Sequence, residues 1–153
     1  MSLHSVCFFS RSLLKSTQMI ALIPERGDPP FPTFYLLHGL SDDHTIWTRR
    51  TSLERYVQDL SLVVVMPAAD RSFYLNHPKI EGGAYEDFIT EDVVGYCERI
   101  FPLRRERNAR ALAGFSMGGY GAVMLALRHP DRFGVAVSHA GAFGFCHRPC
   151  RPE

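Results

Sequence analysis

The chain has 153 residues, 46% of them hydrophobic and 22% charged, with a formal net charge of +1. This length and balance describe one globular domain with a real core and exclude an extended disordered chain. A charge so near zero supplies no global field that would draw in nucleic acid or an acidic membrane.

No long apolar run opens the chain, and Lys15 comes only after a mixed polar stretch. Neither a signal peptide nor a membrane span is expected, and the default address is cytoplasmic. Cys7, Cys97, Cys146 and Cys150 are too few and too scattered for a disulfide framework, which suits a reducing compartment. His4 to Phe9 and Ser16 to Ile23 read as an opening pair of antiparallel strands, and Gly27-Asp28-Pro29-Pro30 as a loop. Thr33 to Leu37 is a compact strand delivered into His38-Gly39-Leu40-Ser41-Asp42-Asp43.

Thr45 to Leu60 carries Ile46, Trp47, Leu53, Tyr56, Val57 and Leu60 at near-helical spacing, with Asp43 or Thr45 as N-cap, and predicts one covering helix. Ser61 to Met66 is a β-branched strand ended by Pro67. In the loop from Ala68 to Ala84, Phe73, Tyr74 and His77 have two readings, as the lining of an acyl or alcohol pocket or as packing within the loop. Tyr85 to Phe101 predicts a second covering helix that stops at Pro102, and the cluster Arg104, Arg105, Arg107 and Arg110 reads as a solvated loop. Strand, helix and strand follow over Ala109 to Phe115, Tyr120 to Leu127 and Phe133 to Ala140. The alternation predicts an α/β fold, a mostly parallel sheet with helices on both faces.

Between that strand and that helix, Gly114-Phe115-Ser116-Met117-Gly118 matches G-x-S-x-G. A strand turning straight into a helix brings two backbones together and pushes the central residue into a strained conformation, so neighbouring side chains must be absent. The glycines at 114 and 118 meet that need, and Gly119 and Gly121 let the helix approach the sheet. Ser116 is then exposed at the carboxyl end of the sheet, where the Met117 amide and the helix dipole favour negative charge. The pattern is the nucleophile elbow of α/β-hydrolases.

An acyl-transfer serine needs a second donor to the oxyanion, and a strand-end loop must supply it. His38-Gly39-Leu40 stands there, with glycine allowing the sharp bend, and the Leu40 amide is the expected donor. His38 precedes the serine, against the order serine, acid, histidine, so its expected role is to fix the loop by hydrogen bonds.

These residues resemble the esterase D and tributyrin-esterase-like group, related to S-formylglutathione hydrolases and mycolyltransferases. The likeness rests on Leu36-Leu37-His38-Gly39-Leu40 with Trp47 following, Val65-Met66-Pro67, Tyr85 to Val93, and Gly114 to Ala122. The resemblance implies an α/β-hydrolase and a serine carboxylesterase for short acyl esters, without metal or organic cofactor. It makes Ser116 the nucleophile and the Leu40 and Met117 amides the oxyanion hole, with Gly39, Trp47 and Tyr74 expected at the substrate. A thioesterase or acyltransferase using the same serine, and a fragment without catalysis, are the rival readings.

The resemblance runs to Phe143, whereas members of the group continue through two more strands bearing the acid and the histidine. His129 and Asp131 follow the helix by its far end, roughly 15 to 20 Å from the serine at 1.5 Å per residue. His139, at the end of the strand from Phe133 to Ala140, is the one internal substitute base, a buried or loop-bonded histidine being the other reading of it. Residues 1–145 are expected to form the domain and 146–153 an atypical tail, read as an abnormal terminus of a truncated esterase. Cys146, His147 and Cys150 are too few for a zinc site. An uncovered sheet edge is expected to seek partners, including a second copy.

Overall fold

The computed structural model describes residues 1–144; Cys146, His147, Cys150 and the tail they belong to lie outside the described residues. Six strands, β1 (Ser2–Ser10), β2 (Lys15–Ile23), β3 (Thr33–Leu37), β4 (Val63–Pro67), β5 (Arg110–Phe115) and β6 (Val135–His139), form one sheet in the order β1-β2-β4-β3-β5-β6. The opening pair is antiparallel, with Ser2 opposite Ile23 and Ser10 opposite Lys15, and β2 lies antiparallel to β4. From β4 onward every pairing is parallel. Its β-branched residues suit β4 to the middle of the sheet, and all five of its positions are buried.

Tyr35, Leu37, Val65 and Leu112 point to one face of the sheet and pack with Phe88, Ile89, Val93, Cys97, Ala122 and Leu125. Those partners lie on a π-helical segment (Phe88–Val93), which follows the short α3 (Tyr85–Asp87), and on α4 (Val94–Ile100) and α5 (Met117–Arg128). Ile20, Leu36, Val64, Met66 and Ala113 point to the other face, against Trp47, Leu53 and Val57 of α1 (Ile46–Arg50) and α2 (Leu53–Val57). Helices therefore cover both faces, as α/β patterning requires.

Two helices differ from expectation. The helix expected over Thr45 to Leu60 breaks in two, because the Thr51 hydroxyl donates to the Trp47 carbonyl and accepts the Leu53 amide at 3.1 Å. These local bonds replace the helical ladder, and Thr51 turns extended at φ −135 and ψ 171. Of the two expected caps, Thr45 stands at the N-cap position without a side-chain cap bond, and Asp43 accepts the Thr45 amide at 2.8 Å, capping the turn that leads into α1. The second helix runs from Tyr85 to Ile100 with the π-helical segment at its centre. There the Thr90 hydroxyl donates to the Glu86 carbonyl at 3.0 Å.

The start of that helix is tied to the far end of α5. The Glu86 carboxylate accepts from Arg128 at 2.5 Å and from His129 at 2.9 Å. Arg110, in the expected solvated cluster, instead pairs with Glu98 at 2.6 Å with both side chains largely covered.

Candidate active site

The registers of β3, β5 and β6 bring three strand ends to one level. Leu37 lies beside Gly114 and Phe115 beside His139. Ser116 follows β5 and caps α5 at φ 54 and ψ −113, a combination that strains any side chain. Its backbone is held from both sides: its amide donates to the His139 carbonyl at 3.0 Å, and its carbonyl accepts from Tyr120 and from Ala142, each at 3.0 Å. The turn after β6 thus clasps the elbow, with Ala140 at φ 49 making the bend.

Close approach explains the glycines. A Cβ on Gly114 would lie 2.8 Å from the Gly118 Cα, and one on Gly118 would lie 2.6 Å from the Leu37 carbonyl carbon and 2.7 Å from the His38 oxygen. The start of α5 is therefore wedged between two strand ends. Met117, fully buried, is its first residue, and an amide there has no partner within the helix. A free amide at the start of a helix, with the helix dipole behind it, favours negative charge.

The loop after β3 is pinned at several atoms. His38 is 1% exposed, and its Nε2 accepts the Ala69 amide at 2.9 Å. Nδ1 must then carry the proton, which it donates to the Gly39 carbonyl at 2.8 Å. Burial pushes the His38 pKa below its ordinary value, and the Gly39 carbonyl offsets this only in part. The ring is neutral with both nitrogens engaged, so it has none to offer Ser116. The Tyr74 hydroxyl donates to the His38 carbonyl at 2.9 Å. Gly39 comes against the elbow, where an added Cβ would sit 3.5 Å from the Phe115 ring, and the Asp42 amide returns to the Gly39 carbonyl at 3.2 Å. Leu40 follows this bend, partly buried against the core.

Gly39 and Trp47, two of the residues expected at the substrate, stand in the wall of a cleft of about 530 Å³, with Asp42, Arg50, Phe115 and His139 among its other walls. The Trp47 Nε1 is buried without a partner among the described residues. Tyr74 is the exception to the expected set: it is fully buried, at φ 59, and reaches inward to the loop and to Gly121 rather than into the cleft. The backbone at 70–74 turns the ring into the core, so packing within the loop is the role the structure gives it. His139 ends β6 with its ring 5.7 Å from that of Phe115. Among the described residues no histidine is hydrogen-bonded to the Ser116 hydroxyl, and His129 is held by Glu86.

The clasp by residues 139–142 was not read from the sequence. Its one signal is the run of small residues in His139-Ala140-Gly141-Ala142 directly after a strand. Phe115, the variable residue before the serine, also escaped notice as a cleft wall. No group of three or more His, Cys, Asp or Glu among the described residues could hold a metal, and no helix among them is long and apolar enough to cross a membrane.

The Esterase family model ("Putative esterase") matches residues 10–149. An acetyl esterase of Caldicellulosiruptor saccharolyticus is 27% identical over 143 residues, covering 87% of this chain and 53% of that protein. Among solved structures, FphF, a fluorophosphonate-binding serine hydrolase of Staphylococcus aureus, superposes with a TM-score of 0.85 at 35% identity. The S-formylglutathione hydrolase FrmB of the same organism gives 0.83 at 36%. Both alignments cover 93% of this chain and 58% of the other, so the chain spans little more than half of these relatives.

Proposed function

The chain belongs to the esterase family of α/β-hydrolases, and on that footing we propose that it carries the nucleophile and oxyanion hole of a serine carboxylesterase for short acyl esters. The observation that carries this reading is the strained backbone of Ser116, held at φ 54 between the start of α5 and a loop pinned by His38 and Tyr74. In this reading the Ser116 oxygen attacks the ester carbonyl and its proton passes to a base. The carbonyl oxygen takes up the negative charge, facing the amides of Leu40 and Met117. The alcohol then leaves with a proton, and water hydrolyses the acyl-serine by the same steps in reverse.

None of the described histidines is bonded to that hydroxyl, so the base and its orienting acid are assigned to the part of the fold that lies outside the described residues. His139 is the internal alternative, because it ends the strand beside the elbow. A thioester substrate is the second reading, favoured by the likeness to a relative described as an S-formylglutathione hydrolase. The free thiols of Cys7 and Cys97 suit work in a reducing compartment such as the cytoplasm.

The test is covalent labelling with a fluorophosphonate probe together with hydrolysis of p-nitrophenyl acetate and S-formylglutathione. We expect slow labelling of 1–153 that vanishes in Ser116→Ala, and fast labelling once the part of FphF outside the shared region is fused to the chain. With the fused chain, Leu40→Pro removes one amide donor and should lower turnover by at least about 10²-fold. Labelling that persists in Ser116→Ala would refute the assignment of the nucleophile. Ordinary turnover by unmodified 1–153 would move the base to His139, to be tested by His139→Ala.

A further inference from the structure

The segment 69–74, in the loop after β4, touches both sides of the elbow. Its Ala69 amide donates to the His38 Nε2 and its Tyr74 hydroxyl to the His38 carbonyl, on the loop that leads to Leu40. Its other contacts are with α5. The Phe73 amide lies 3.3 Å from the Met117 Sδ, and the Phe73 ring meets the Tyr120 ring edge-on at 6.1 Å. A Cβ on Gly121 would lie 2.7 Å from the Tyr74 Cγ. This one segment therefore bridges the loop after β3 and the first turns of α5.

The same segment is strained. Asp70, Phe73 and Tyr74 stand at φ 45, 53 and 59, so three non-glycine residues share the left-handed region within one short stretch. Such a backbone persists only where its surroundings over-determine it. Two fastenings outside the site do so. Beyond the segment, the Asn76 Oδ1 accepts the amides of Glu86 and Asp87 at 3.0 and 3.2 Å. Near its start, a single oxygen of Asp70, Oδ2, accepts from the Lys15 Nζ at 2.7 Å and from the Tyr85 hydroxyl at 2.5 Å. Lys15 opens β2 and Tyr85 opens α3, so this carboxylate ties the segment to the sheet and to a helix at once. Lys15 first, then Tyr85, holds the Asp70 carboxyl below its usual range, which keeps the tie charged near neutral pH. The side chains of Lys15 and Asp70 are 47% and 58% exposed, and pairs so exposed add little to stability by themselves. The arrangement suits a fixture for a strained segment better than a source of stability.

We propose that Asp70, gripped by Lys15 and Tyr85, is a positioning residue: it locks the segment 70–74 in its left-handed course and so fixes the loop of His38 and Leu40 against the start of α5. The effect on reactivity rests on the reading of Ser116 and its oxyanion hole given above; the hold on the loop does not.

The experiment uses the full chain 1–153 with Tyr85→Phe, Lys15→Met and the double variant, which remove the grip and leave residues 69–74 untouched. Circular dichroism should match the wild type. In the double variant, hydrogen exchange of the Ala69 amide should quicken at least about tenfold while the amides of β3 keep their rates; a chain merely destabilised would speed both. Saturation kinetics of fluorophosphonate labelling at Ser116 should show a maximal rate lowered at least about tenfold and an unchanged half-saturating probe concentration. Asp70→Asn, which tolerates the left-handed backbone and keeps an oxygen for both donors, should retain most of both wild-type rates. Glu106→Gln, which breaks a similarly exposed pair with Arg104, should change neither. Should the double variant lose its fold, the single variants decide by the same two readouts. Unchanged exchange at Ala69 overturns the proposal. Faster exchange with an unaltered labelling rate overturns Asp70 as a positioning residue and leaves the serine reading standing. Wild-type labelling that persists in Ser116→Ala removes the serine reading instead, and exchange at Ala69 then still decides whether Asp70 holds the loop.

Discussion

Ser116 occupies a backbone region that costs a side chain about 1 to 3 kcal/mol. Ser116→Gly should therefore raise stability by about 1 kcal/mol after allowing for the extra freedom of glycine in the unfolded chain, read as a higher urea midpoint at constant slope. An unchanged midpoint would mean the turn stores no strain. His38 gives a second outcome at this scale, through pH. Its folded pKa is depressed, so between the folded value and the unfolded value near ~6.5 the unfolded chain binds the proton and the folded chain does not. The contribution is intact above that window, falls as pH drops through it at up to ~1.4 kcal/mol per unit, and levels off below it. The wild type should lose more stability than His38→Gln between pH 6.5 and 5, and equal slopes would contradict a buried neutral ring. The serine and the role of His38 were legible because glycine spacing and chain order carry them. Tyr74 was not, since an aromatic residue in a loop looks the same in sequence whether its backbone turns it to the core or to a cleft.

Two glycines in helices make opposite demands on their surroundings. Gly118 touches the end of β3, and Gly118→Ala would drive a Cβ onto the Leu37 carbonyl, while Gly95 in α4 has nothing within 4 Å of an added Cβ. We expect Gly118→Ala to destabilise by about 3 kcal/mol or more and to slow labelling of Ser116 in the fused chain. Gly95→Ala should stabilise by about 0.5 to 1 kcal/mol as an ordinary helix substitution. Urea unfolding of the two variants checks both, and equal effects would show that helix propensity, not contact with β3, governs the elbow. Strand positions were readable at this scale because runs such as Val63 to Met66 are apolar on both faces. The break at Thr51 was hidden, for the spacing of Trp47, Leu53 and Val57 suits one helix, and a single hydroxyl in competition with the ladder decides otherwise. The π-helical segment was hidden for a related reason: Phe88, Ile89 and Val93 satisfy a helical stripe whether or not one turn is widened.

Among the described residues the sheet is buried under both cores at its centre and less covered at β6. Alternating strands and helices made the parallel sheet legible, but the uneven cover of its face depends on where β6 lies and on which side each crossover passes. Unequal cover should mean unequal opening. Amides in β3 lie between two neighbours under both cores and should exchange only through global unfolding. Those of β6 have one neighbour, and Val135 and Val137 add little burial. The other edge strand, β1, is steadied by a register running from Ser2 to Ser10 along β2, whereas β6 pairs only from Val135 to His139. In the isolated chain we expect the β5-bonded amides of β6 to exchange at least about 10²-fold faster than those of β3. Low urea should speed β3 exchange in proportion to the whole surface exposed on unfolding and leave β6 nearly unaffected, the mark of a local opening. If β6 instead exchanges at the rate and with the urea dependence of β3, the edge belongs to the cooperative core.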